Sequence, residues 1–305
     1  MAIPRSEYLS NVWRDGIFDG KVVFCTGGAG SICSAQVRAL VHLGANACII
    51  GRNVEKTKSM AVNIATARKG SKVIGIGGVD VRSFESMEKA VAQCVKELGG
   101  LDYCIAGAAG NFLAPIAGLS SNAFKTVLEI DTLGSFNTLK ATLPHLLESA
   151  AKNPNTADSV STGGRIIFVS ATFHYTGMAL QSHVAVAKAG IDALSGTTAI
   201  EYGPRGITSN IITPGPIAGT EGMSRLGNRE AEAAGSAFKK VPLQRYGSVK
   251  EIADGTVYLF SDTGNFVNGA VLVVDGGDWR SPGGMNTIAA YPDYLMDDSY
   301  MKAKL

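Results

Sequence analysis

The sequence predicts an α/β fold: a doubly wound parallel sheet of about seven strands with helices on both faces. Two observations carry this reading. Short apolar runs alternate with longer stretches of helical spacing along most of the chain. The short runs are apolar at consecutive rather than alternating positions, as strands buried on both faces are. Strand–helix alternation with right-handed crossovers then gives a doubly wound order. The chain has 305 residues, of which 46% are apolar. A compact chain of this size buries roughly 75% of its unfolded surface. The expected organisation is one domain over 1–305, with a core over about 18–280, a flap over about 215–245 and a tail over 281–305.

The first strand is KVVFCT (21–26), and the turn behind it has Gly27, Gly28 and Gly30, with Ser31 and Ile32 opening a helix. Glycines at a strand-to-helix turn let the backbone approach a pyrophosphate, and the helix start offers free N–H groups and a positive dipole end. This is the pattern of a Rossmann-type dinucleotide site. The helix SAQVRALVHLG presents Val37, Leu40 and Val41 on one face and stops at Gly44. The second strand, ACIIG (47–51), is followed by Arg52. A carboxylate there would bind the ribose hydroxyl of NAD. An arginine pairs instead with a 2′-phosphate, so NADPH is the expected cofactor.

The third strand, KVIGIGGVD (72–80), ends at Asp80, which either accepts a bond from an adenine amino group or caps the helix that follows Ser83. The fourth, DYCIAG (102–107), carries Ala106 and Gly107 to the carboxyl edge of the sheet, with Asn111 and Phe112 just beyond. Ligands bind at that edge in open α/β sheets. A helix follows Asn122, and the polar stretch AKNPNTADSVSTGG (151–164) reads as a surface loop. The fifth strand, RIIFVS (165–170), ends at Ser170, which could help hold ligand or loop; Phe173, His174 and Tyr175 beyond it could line a pocket. The next helix carries Val184 and Lys188. The sixth strand, SNIIT (209–213), leads to TPGPI, and residues 215–245 then interrupt the alternation as a helical flap over a ligand would. A helix after Ser248 and the strand AVLVVD (270–275) complete the sheet.

Composition excludes several classes. The formal net charge is +2 with no basic run, so nucleic-acid binding is not expected. Five cysteines without a CxxC read as reduced core residues. His42, His145 and His183 have no metal-ligand spacing, and no metal is expected. No run has signal-peptide character or approaches ~20 apolar residues, so no membrane span is expected. The tripeptide Ala303-Lys304-Leu305 is similar to the Ser-Lys-Leu address, which makes a peroxisomal import receptor an expected partner.

Taken together, TGGAGSI, DV at 80–81, AGAAG at 106–110, VSA at 169–171, the lysine of AKAGIDAL, TPGPI at 213–217 and VDGG at 274–277 resemble the short-chain dehydrogenase/reductase family over roughly residues 18–280. Four departures stand out. AGAAG followed by NF replaces the usual Asn-Asn-Ala-Gly, Asp131 replaces the asparagine of the central helix, Val184 replaces the tyrosine and Cys33 replaces the third glycine. With GNF, SATFHYTG and TEGMSRL, these look like the branch that reduces 2,4-dienoyl-CoA thioesters in peroxisomes.

The resemblance implies NADPH-dependent reduction of 2,4-dienoyl-CoA to 3-enoyl-CoA during β-oxidation of unsaturated fatty acids. It also implies a homo-oligomer, dimer or tetramer, formed through the helices after Asn122 and Val184. Lys188 would hold the nicotinamide ribose hydroxyls and orient water, and Asp131 would hold or protonate that water. The segments containing Val81, Ala106 and Gly107 would line the cofactor. Pro214, Gly215, Ile217 and Thr220 would grip its carboxamide end. Asn111 and Phe112 would contact the thioester or acyl chain, and Arg82 and Arg225 the charges of coenzyme A.

The chemistry agrees with the missing phenol. Positions 184 and 188 share a helix face, but valine cannot donate the proton that a ketone's alkoxide requires. A dienoyl thioester accepts hydride at C5 and spreads charge to the thioester oxygen. The site must then stabilise that oxygen and protonate a carbon, which water can do. His174 or Tyr175 as a replacement donor is a sharper alternative. Other readings are a reductase of another conjugated thioester or enone, and a catalytically silent NADPH-binding scaffold.

Overall fold

The computed structural model describes residues 3–157, 163–226 and 237–281. Seven strands form one sheet: β1 (Val22–Thr26), β2 (Asn46–Gly51), β3 (Val73–Gly77), β4 (Tyr103–Ala106), β5 (Arg165–Val169), β6 (Thr208–Pro214) and β7 (Val271–Val274). Their order is β3-β2-β1-β4-β5-β6-β7, and every pairing is parallel. The winding reverses between β1 and β4, where Thr26 pairs with Ile50 on one side and Ala106 on the other. The crevice outside that reversal is where doubly wound sheets bind ligands. All of β1 is buried, so the apolar run seen in the sequence is the centre of the core.

Helix α1 (Ser31–His42) follows the glycine turn, and α2 (Val54–Ala65) follows β2. The sequence reading did not anticipate α2. Only Thr57, Ala61 and Ile64 are buried on it, so its apolar stripe is too thin to stand out. Asn53 caps it by accepting from the Lys56 backbone N–H. Helix α3 (Phe84–Leu98) is capped by Ser83, whose hydroxyl accepts from Ser86 N, and it closes at Gly99 with φ of 86°. The capping role considered for Asp80 therefore belongs to Ser83.

Helix α4 (Ser121–Leu128) starts a residue before Asn122 with Ser120 as cap; a π-helical turn (Glu129–Leu133) joins it to α5 (Gly134–Lys152). The remaining helices are the single turn α6 (Phe173–Thr176), α7 (Ser182–Tyr202), α8 (Glu221–Leu226) and α9 (Val249–Phe260). The expected flap begins with α8, but residues 227–236 and the Arg225 side chain lie outside the described residues. So do residues 158–162 of the polar loop and 282–305 of the tail, including Ala303-Lys304-Leu305.

Apolar layers cover both faces of the sheet. On one, α1 and α9 bring Val37, Leu40, Ile252 and Phe260 against β1 and β4, with Tyr103 stacked on Phe260 at 4.8 Å. On the other, α3 and α5 bring Met87, Val91 and Leu146 against Phe24, Ile166 and Phe168. The five cysteines are buried in these layers as free thiols. Cys33 replaces a glycine at little steric cost because Gly107 opposite has no side chain: a Cβ there would lie 2.3 Å from the Cys33 sulfur.

A Cβ at Gly28 would stand 2.5 Å from Cβ of Ile49, itself fully buried and unable to move aside. Gly28→Ala is therefore expected to cost about 1–3 kcal/mol by overpacking and to weaken dinucleotide binding. Thermal melting and an NADPH titration check both effects.

Candidate active site

The crevice at the winding reversal is a cleft of about 530 Å³ bounded by the glycine turn, the end of β2 and the loop after β3. Gly27 has a φ of 66°, and a Cβ on it would lie 2.9 Å from Ala108 Cα. Gly30 is the N-cap residue of α1 and offers no side-chain cap, leaving the first N–H groups of Ser31 and Ile32 available to an anion. Gly27, Gly30, Arg52, Asp80 and Val81 all line this cleft, as the sequence suggested. Lys56 lines it too and was missed, although its place on the first turn behind Arg52 could have flagged it. Its ammonium lies 3.6 Å from the Glu221 carboxylate at the start of α8, so α8 reaches across to α2. The Ser31 hydroxyl accepts from the Glu221 N–H at 3.4 Å, a second tie between α8 and the glycine turn.

Asp80 and Arg82 face each other. The guanidinium donates to both carboxylate oxygens at 2.6 and 3.0 Å, and this pairing, first through the Arg82 hydrogen bonds, holds the Asp80 carboxyl below its ordinary range. Ala106 and Gly107 lie beside the glycine turn because the Thr26 hydroxyl accepts from the N–H groups of Gly107 and Ala108 at 3.1 and 3.2 Å. Pro214 ends β6, and Gly215 packs so closely that a Cβ would lie 2.4 Å from Asp275 Cβ. Ile217 is buried, and the Thr220 hydroxyl donates to its carbonyl at 2.9 Å while accepting from Met223 N at 3.2 Å. Thr220 thus folds the segment and caps α8.

Asp131 lies on the π-helical turn and is fully buried. Its Oδ1 accepts from Gly110 N at 2.7 Å, and its Oδ2 lies 3.0 Å from Lys188 Nζ. Lys188, 6% exposed, also donates to the Val169 carbonyl at 3.1 Å. Three separate elements therefore converge: the loop after β4, the π-helical turn and α7. Val184, one turn before Lys188, is buried in a cluster with Val127 and Ala187, against which Phe173 and Leu128 pack. An apolar contact fills the position where a phenol would stand.

Two loops border this centre. In the first, the Phe112 carbonyl accepts from Gln181 Nε2 at 3.1 Å and lies 3.0 Å from His183 Nε2. The Phe112 ring stacks on the His183 ring at 4.3 Å, which gives His183 the structural role expected of it. Asn111 Oδ1 is buried and has no hydrogen-bond partner among the described residues. In the second loop, Ser170, His174 and Tyr175 all bond to Asp192. Burial alone would raise the Asp192 carboxyl; the bonds from His174, Ser170 and Tyr175 outweigh it and hold the group below its ordinary value. Burial, and then the bond to Asp192, push the Tyr175 phenol well above its ordinary value, the opposite of what a proton donor needs. Asp192 was missed because nothing local marks it: its partners lie 17 to 22 residues away.

A family model described as enoyl-(acyl carrier protein) reductase matches residues 27–278. The peroxisomal 2,4-dienoyl-CoA reductase, (3E)-enoyl-CoA-producing, of Saccharomyces cerevisiae is 51% identical over 88% of this chain and 87% of its own. The Danio rerio protein of the same description is 41% identical over 88% of this chain and 85% of its own. Among solved structures, a levodione reductase superposes with a TM-score of 0.78 at 25% identity, covering 87% of this chain and all of the other. A Burkholderia cenocepacia short-chain dehydrogenase solved with NADP superposes with a TM-score of 0.74 at 24% identity, covering 88% of this chain and 99% of the other. With the parallel sheet, the glycine turn and the placed lysine, these matches lead to one statement: the chain belongs to the short-chain dehydrogenase/reductase family, in the group of the peroxisomal 2,4-dienoyl-CoA reductases.

Proposed function

We propose that this chain reduces 2,4-dienoyl-CoA to 3-enoyl-CoA with NADPH in the peroxisomal β-oxidation of unsaturated fatty acids. One observation carries the mechanism: a buried Asp131–Lys188 pair stands beside Val184, where the family's carbonyl reductases have a phenol. The cleft fits a phosphorylated dinucleotide, because Arg52 and Lys56 line it and the first N–H groups of α1 at its edge are open. Gly27, Gly28, Gly30, Ser31 and Ile32 would hold the pyrophosphate, and Asp80 and Val81 the adenine. Arg52, with Lys56, would bind the 2′-phosphate, the feature that favours NADPH over NADH. Ala106, Gly107, Pro214, Gly215, Ile217 and Thr220 would frame the nicotinamide end. Bound there, the reduced nicotinamide supplies the hydride that C5 of the dienoyl group accepts.

The protein's own task is then electrostatic. Charge arriving at the thioester oxygen needs hydrogen bonds, and C2 needs a proton. Lys188 supplies a fixed positive charge, held by Asp131 on one side and the Val169 carbonyl on the other. Asp131 would hold or protonate the water that gives the proton. Asn111, whose buried oxygen has no partner among the described residues, and Phe112 would contact the thioester and acyl chain, and Phe173 and Tyr175 would wall the chain. Arg82 and Arg225 would meet the phosphates of coenzyme A. A binding scaffold has no use for such a pair, since burying two charges costs several kcal/mol per ion before their attraction offsets it.

The chain occupies the peroxisome in this reading, and Ala303-Lys304-Leu305 is its proposed address. Self-association would use the helices after Asn122 and Val184, that is α4 with its continuation α5, and α7; α5 and α7 expose Phe136, Val186 and Ile200. Among the described residues no helix is long and apolar enough to cross a membrane.

Purified protein mixed with 2,4-hexadienoyl-CoA and NADPH is expected to consume the nicotinamide absorbance, much more slowly with NADH; NADPH binding without turnover would overturn the reaction. Asp131→Asn and Lys188→Ala are each expected to lower kcat by about 100-fold or more, with a folded protein confirmed by circular dichroism. Arg52→Ala is expected to raise KM for NADPH by roughly 10–100-fold while leaving KM for NADH nearly unchanged, since a charge-assisted bidentate contact is worth about 1.5–3 kcal/mol.

A further inference from the structure

Asp192 lies one helical turn past Lys188 on α7, so both side chains leave the same face of the helix. They grip consecutive residues at the end of β5. Lys188 donates to the Val169 carbonyl at 3.1 Å, and Asp192 Oδ1 accepts from the Ser170 hydroxyl at 2.6 Å. The second oxygen of Asp192 lies 2.7 Å from His174 Nε2 and also accepts from the Tyr175 hydroxyl. A carboxylate only accepts, so His174 Nε2 carries the proton. Three donors from one short loop thus meet a single carboxylate whose side chain is only 13% exposed.

Ala171 and Thr172 at the start of that loop are buried, while its outer part is more open. Its helix, α6, is one turn of four residues with none of them buried. It ends at Gly177, with φ of 72°. It brings Phe173 against the buried cluster of Val127, Val184 and Ala187, and sets Tyr175 edge-on to Trp279 at 5.5 Å. The wall beside the Asp131–Lys188 pair therefore depends on a carboxylate that touches neither member of it.

We propose that Asp192 is a positioning residue for the acyl-CoA substrate. Through Ser170, His174 and Tyr175 it fixes the loop 171–177 as the wall of the acyl pocket, and so sets affinity for the dienoyl chain and not for the dinucleotide. This rests on the dienoyl-CoA reading above. It also gives His174 and Tyr175 a task other than proton donation: both are tied to Asp192.

The test compares wild type with Asp192→Asn, His174→Gln and Tyr175→Phe in steady-state kinetics with 2,4-hexadienoyl-CoA, and measures the NADPH dissociation constant by fluorescence. Asp192→Asn is expected to raise KM for the thioester about tenfold, the equivalent of roughly one charge-assisted hydrogen bond. The kcat is expected to stay within about twofold and NADPH affinity to be unchanged. The two single-tie variants are expected to shift KM the same way by less, and they keep the proposal testable should Asp192→Asn fail to fold. An unchanged KM in these variants, or an NADPH dissociation constant rising in parallel with KM, overturns the positioning role. A wild-type protein that turns over no dienoyl-CoA overturns the reaction instead, so the two readings fail separately.

Discussion

The ion pair between Asp131 and Lys188 is the interaction around which the rest of this structure is arranged. Two charges are taken out of water, which is costly unless the geometry is good and the remaining lone pairs and protons are satisfied. The structure meets that condition with backbone groups from different elements: Gly110 N–H for the aspartate and the Val169 carbonyl for the lysine. The π-helical turn at 129–133 is part of the same arrangement. It interrupts the helical ladder between α4 and α5 where Asp131 must face inward, a use to which such turns are often put.

The cofactor cleft and the substrate side are organised differently. The glycine-turn side of the cleft relies on backbone, with close-packed glycines and a helix start that leaves N–H groups free, and the Thr26 hydroxyl couples β1 to the loop after β4. The substrate side is made of side chains that discipline loops. Gln181 and His183 hold Phe112, and Asp192 holds His174 and Tyr175. These holders lie on α7, the helix that also carries Lys188, or, for Gln181, at its N-cap. One rigid element therefore fixes the catalytic charge and both walls of the pocket.

Much of this was legible in the sequence, for physical reasons. Strands buried on both faces leave continuous apolar runs, so all seven were found within a few residues. Glycine is required at 27 by a positive φ and at 28 by the closeness of Ile49, and Asp131, Lys188 and Val184 stand at fixed distances from recognisable motifs. Contacts between distant segments were less visible. Asp192 reads as an ordinary helical aspartate until β5 and its loop are folded against it. Helix α2, with its narrow apolar stripe, was overlooked, and Lys56 with it. The role of Asp80 was left open between an adenine contact and the cap of α3, because aspartate caps well; in the fold Ser83 takes the cap and Asp80 turns toward Arg82.

The central claim is that a buried aspartate–lysine pair, without a phenol, directs a proton from water to C2 after hydride reaches C5. The most direct measurement is to run the reaction with NADPH in D2O, quench it early and locate the deuterium and the remaining double bond by NMR. The account gives a 3-enoyl-CoA carrying solvent deuterium at C2 and none at C5. A 2-enoyl-CoA with deuterium at C4 would contradict it.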